Sequence, residues 1–88
     1  MTHQALEQAA RLAPIIERVH GENHPEMTQV RQLVEELQQS SETTRTAALF
    51  AQLRQVTNNF AVPGDACEAV EATYRSLAQA DAAQGAAA

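Results

Sequence analysis

Three histidines, one cysteine and eleven acidic residues are the groups in this 88-residue chain that could do chemistry, and their spacing limits what each can attempt. His3 and Glu7 are four apart, which sets an imidazole and a carboxylate side by side on a helix, the spacing that bundle metal sites use in pairs. At a chain end that spacing reads instead as a solvated contact. His20 and His24 flank Gly21 and could share a zinc ion, but two ligands leave a tetrahedral site half filled, and packing or capping at a helix end is the plainer use. Glu35-Glu36 reads as a wet helix face and Asn58-Asn59 as turn structure. Cys67 has no second cysteine to pair with, and on the apolar face of a predicted helix it reads as a small buried hydrophobe. No nucleophile has a base placed beside it, and Gly21 and Gly64 are isolated, so neither covalent catalysis nor a phosphate-cradling loop is predicted. The sequence thus assigns no catalytic, cofactor-binding or metal-ligating residue, and no cofactor.

The elements that would position these groups are helices. Leu6, Ala9, Ala10, Ala13 and Ile16, with Leu12, Ile15 and Val19 on a neighbouring stripe, recur at three- and four-residue spacing and predict one amphipathic helix over Thr2 to His20. Pro14 inside it predicts a kink near Ala10 to Pro14. Gly21, in a left-handed conformation, and Pro25, opening the next helix, predict a tight corner. Helix 2 runs from Pro25 to Gln39 on Met27, Val30, Leu33, Val34 and Leu37. Either Ser40 or Ser41 suits the cap of helix 3, which carries Ala47, Leu49, Phe50, Leu53 and Val56 and ends at Asn58-Asn59. Phe60 and Val62 are expected to fold back over the bundle end. Asp65 and Glu68 make a capping-box pattern for helix 4, whose inward stripe reads Cys67, Val70, Tyr74, Leu77 and Ala78. Residues 1–81 form one helical domain, and 82–88 read as an alanine-rich tail, frayed or disordered. The fold class is an all-α antiparallel helix bundle of three to four helices.

A chain of this length buries only about 60 to 65% of its unfolded surface. With aromatics at 3%, no Trp and much of the apolar fraction alanine, the core is thin and self-association is expected. A net charge of -5 with six scattered Lys and Arg argues against nucleic acid. No apolar run nears the ~18 residues of a membrane span, and the N-terminus has no basic region followed by an apolar stretch, which predicts a cytoplasmic protein without a membrane partner.

Two irregular stretches carry a resemblance. His20-Gly21-Glu22-Asn23-His24-Pro25, with flanks Ile16 to Glu26, resembles the helix 1 to helix 2 connection of the hemerythrin-like di-iron proteins of the repair-of-iron-centres family, and Thr57-Asn58-Asn59 followed by Pro63 and Ala66-Cys67 resembles its helix 3 to helix 4 connection. The resemblance implies a hemerythrin-like bundle and, in the family, a di-iron site built on His-x-x-x-Glu pairs. Here Leu37-Gln38-Gln39-Ser40-Ser41 leads straight to Glu42, Thr43 stands where a ligand His belongs, and the chain reaches Gln84 without the last pair. The expectation is therefore a non-catalytic, metal-free helical scaffold or interaction protein. The alternative is a di-iron protein of iron-sulfur cluster repair or nitrosative stress, its site completed by a dimer or a further segment. The missing connection leaves two forms open. Helices 2 and 3 either fuse into a rod of about 35 residues, near 50 Å, that exchanges halves in a homodimer, or they fold as a compact hairpin.

Overall fold

All four stretches with helical periodicity are helices. In the computed structural model, which describes the backbone of residues 2–87 and the side chains of residues 4–84, α1 spans Thr2–His20, α2 Glu26–Gln39, α3 Thr43–Val56 and α4 Glu68–Ala87. The chain is an all-α helix bundle. Arg31 on α2 reaches back across the first corner to Glu17 on α1, Nε to Oε1 2.6 Å, and Arg45 on α3 pairs across the second with Glu36 on α2. Both consecutive pairs are therefore antiparallel. Helix α4 packs chiefly on α1, its start beside the end of α1. Helices α3 and α4 meet over little surface, where Arg54 Nη1 donates to both oxygens of Asp81 at 2.6 and 2.7 Å. Asp81 lies well along α4, so α3 crosses α4 instead of forming a hairpin with it.

The core is filled by Ala9, Ala13 and Ile16 of α1, the five predicted residues of α2, Leu49, Phe50 and Leu53 of α3, and Val70, Tyr74, Leu77 and Ala80 of α4. The second stripe of α1 is only partly covered: Leu12 is half-buried, while Ile15 is 41% and Val19 61% exposed. Ala47 is exposed as well. Thr73, buried on α4, donates to the Ala69 carbonyl at 2.7 Å and so loses nothing by its burial. The Tyr74 hydroxyl is different. It is buried with no hydrogen-bond partner among the described residues, and burial, with the Glu26 charge adding, pushes its pKa up to about 12. An unpaired buried hydroxyl costs about 1 to 3 kcal/mol, so Tyr74→Phe should unfold at equal or higher denaturant concentration, with a gain of about 1 kcal/mol. A clear loss would show that the hydroxyl has a partner.

Helix α1 continues through Pro14 as one element, as expected, with the ring on the exposed side, where the carbonyl it deprives of a donor can be solvated. Other expectations are corrected by the backbone. Gly21 is not left-handed; no described glycine has positive φ. It is needed because the chain turns so tightly, with Gly21 N–H on the Glu17 carbonyl at 2.8 Å, that a Cβ there would overlap that carbonyl oxygen. Pro25 sits at the cap position with φ -63°, one residue before α2. Helices α2 and α3 are separate elements in this chain, so the compact hairpin, not the rod, is the form described. Ser40 and Glu42 are extended, with ψ 132° and 131°, and Glu42, not a serine, occupies the cap position of α3. The Ser40 hydroxyl faces the Thr46 hydroxyl at 3.3 Å, a local bond that competes with continued helix. Helix α4 continues past Asp81 to Ala87, so the backbone of 82–87 is helical where a tail was expected. The side chain of His3, and with it the His3–Glu7 pair, lies outside the described residues.

The α3–α4 connection is built by two devices. Thr57, buried, donates to the Leu53 carbonyl at 2.7 Å and accepts the Phe60 N–H at 2.8 Å. Asn58, Asn59 and Phe60 are then left-handed, and Asn59 N–H reaches the Arg54 carbonyl at 2.7 Å, closing α3 in a Schellman arrangement. Phe60 bears the steric cost of that conformation while packing against the core; Val62 does not fold back and is 41% exposed. The Pro63 carbonyl accepts the Ala66 N–H at 3.1 Å, a turn that presents Asp65.

Candidate functional site

The two irregular stretches dock on each other at one end of the bundle. His20, the last residue of α1, sets Nε2 3.1 Å from the Cys67 sulfur, and His24 sets Nε2 2.9 and 3.1 Å from the two oxygens of Asp65. The other ring nitrogen of His24 is 3.1 Å from Glu26 Oε2. His20–Cys67 and Glu26–His24–Asp65 thus form two neighbouring sets of polar contacts across a corner whose partners lie more than forty residues apart in sequence.

Cys67 is exposed, which corrects its expected burial. The physical reason is that α4 begins at Glu68, so Cys67, not Asp65, stands just before it, ahead of the helical periodicity, and the inward stripe starts at Val70. Asp65 is accordingly no cap; it is the partner of His24. Just ahead of α4 the Cys67 carbonyl accepts the Val70 and Glu71 N–H groups at 3.1 and 3.3 Å, opening the helix. The His20 ring, and after it the N–H groups of Val70 and Ala69, hold the Cys67 thiol below its usual range, against a smaller opposing effect of burial. The positive end of α4, where the sulfur stands, acts in the same sense, while the negative end of α1, which carries Arg18 and His20, opposes a thiolate. Glu68 and Glu71, also in the first turn of α4, oppose a thiolate there without reversing the direction.

Hydrogen bonding to Asp65, more than to Glu26, raises the pKa of His24, and the same contact lowers that of Asp65, with its own N–H and the His20 charge adding. His24 is 18% exposed and Asp65 63%. The arrangement offers one accessible nucleophile with an imidazole on it, and beside it an imidazole between two carboxylates.

The ligating atoms pair off and do not converge. His20 and His24, which the sequence reading weighed as a zinc pair, have separate partners, and among the described residues no group of three or more His, Cys, Asp or Glu could hold a metal ion. Glu35 and Glu36 are exposed and take Arg31 and Arg45. Asn58-Asn59 is the left-handed turn. A cleft of about 290 Å³ between Leu6, Leu37, Phe50 and the rim of Glu7, Gln38, Ser40 and Thr46 lies at the other end of the bundle, bordered by none of the corner residues. Sequence reasoning missed the His20–Cys67 contact. The signal was present: in an antiparallel bundle the α1–α2 and α3–α4 connections share an end, and each carries titratable residues.

Compared with known families, curated proteins and solved structures, the chain matches none. Among the described residues no helix is long and apolar enough to cross a membrane.

Proposed function

We propose that this protein is a non-catalytic helical scaffold whose reactive group is the Cys67 thiolate, which takes up an electrophile stoichiometrically. The observation that carries the reading is the exposed sulfur at the start of α4 with His20 Nε2 at 3.1 Å. With a hydroperoxide, the sulfur attacks the distal oxygen; an S–O bond forms, the O–O bond breaks, and the leaving oxygen takes a proton from His20. Sulfur is oxidised to the sulfenate level and the peroxide reduced to water or an alcohol. Cys67 is the one cysteine of these 88 residues, so a thiol from outside them completes a disulfide with loss of water. Treatment with hydrogen peroxide in the presence of a small thiol should give a single adduct on Cys67, read by peptide mass, and His20→Ala should form it several-fold more slowly. Equal rates would overturn the role of His20.

A second reading, an interaction protein using its α1 face, is supported by the uncovered Ile15 and Val19, one turn apart on the same helix. A homodimer through that face is its simplest form. Size exclusion with light scattering tests it: wild type should associate, and Ile15→Glu/Val19→Lys should be monomeric.

A further inference from the structure

We infer that His24 is a proton-operated clasp that regulates the Cys67 segment, an inference resting on the reading of Cys67 as the reactive group. Both ring nitrogens of His24 face carboxylate oxygens, Nε2 those of Asp65 at 2.9 and 3.1 Å and Nδ1 that of Glu26 at 3.1 Å. Carboxylates only accept, and a neutral imidazole carries one N–H, so the two contacts are hydrogen bonds together only when the ring is an imidazolium. Losing that proton turns one contact into a meeting of lone pairs and removes the charge that holds the other.

The contacts join different elements. Glu26 belongs to the first turn of α2, and Asp65 to the α3–α4 connection, two residues before Cys67. The charged and titratable groups facing the clasp from its surroundings are His20 at the end of α1, whose charge acts on Asp65; Cys67 at the start of α4, bonded to His20; and Tyr74 in the core face of α4, on which the Glu26 charge acts. The His24–Asp65 and His20–Cys67 contacts therefore tie the same two segments together, and loosening the first lowers the occupancy of the second.

The sign is fixed by the directions of the shifts. His24 is raised above its ordinary 6.5, so its hold is complete below that value and fades as pH rises through the higher folded value. Asp65 is lowered below its ordinary 3.8, so its part is present above that value and is lost as pH falls through the lower folded one. The clasp is closed between those limits. On its alkaline side the Cys67 segment is released.

The test uses the whole chain and iodoacetamide, with the alkylation rate constant expressed per thiolate, while nuclear magnetic resonance follows the His24 ring and the amides of Asp65 and Ala66. In wild type the per-thiolate rate should rise about two- to fivefold, the span that an exposed ion pair's hold on a segment allows, at the pH where the ring and both amides titrate together. His24→Gln and Asp65→Asn should each abolish that inflection and react at the released rate throughout. An inflection retained in either variant, a flat wild-type profile, or amides that ignore the His24 midpoint would overturn the clasp. A Cys67 midpoint no lower than that of the denatured chain would sink the thiol reading alone, since the amide shifts still decide whether His24 holds the segment.

Discussion

Gly21→Ala should destabilise the bundle by about 1 to 3 kcal/mol, a cost of the size that forced overlap brings. For a domain of this size each kcal/mol lowers the thermal midpoint by roughly 4 to 8 °C. The cause is the Cβ itself, which would overlap the Glu17 carbonyl oxygen at the point where α1 turns toward α2. A side chain's flexible end can move aside, but a carbonyl already bonded to the Gly21 N–H moves only with the helix. Two controls separate this from a need for left-handed backbone. Gly21→Asn should be no better than alanine, although asparagine tolerates positive φ, because Gly21 has no positive φ to relieve. Gly64→Ala should be close to neutral, since nothing lies within 4 Å of a Cβ built there. If asparagine restored stability, the corner would be left-handed after all.

Native Cys67 should react faster with iodoacetamide at neutral pH than the denatured chain does, the reverse of what a buried cysteine would show. A thiol labels as its thiolate, and folding brings the His20 ring and the N–H groups of Val70 and Ala69 to the sulfur. The gain is tempered because a thiolate of lower basicity is intrinsically less nucleophilic, so a several-fold excess is expected at neutral pH and none once both states are fully ionised. His20→Ala should lose most of the excess while leaving the backbone donors in place. Slower labelling in the native state would return Cys67 to the core.

The helices were legible because their signal is periodic: the core face of α2 was read correctly from Met27 to Leu37, and the buried residues of α3 were all on its predicted stripe. What failed was local and depended on where a period begins. Moving the cap of α4 from Asp65 to Cys67 takes Cys67 off the apolar face and turns Asp65 into a partner for His24. A two-residue shift in where the helix begins leaves the pattern of Val70, Tyr74 and Leu77 unchanged, so periodicity cannot register it. The break at Ser40 to Glu42 was left open between hairpin and rod for a related reason. Serine and threonine lower helix propensity by only a few tenths of a kcal/mol each, and it is burial of both α2 and α3 against the rest of the bundle that favours the hairpin over a rod. The corner itself is a product of topology, joining residues more than forty apart that no local pattern connects.

Titrating the ultraviolet absorbance of the Cys67 thiolate in the folded chain, with denatured wild type and folded His20→Ala as references, decides whether the thiol is activated. The midpoint of folded wild type should lie below those of both, with the variant displaced upward toward the denatured value. A folded midpoint equal to or above the denatured one would contradict an activated thiol at the start of α4.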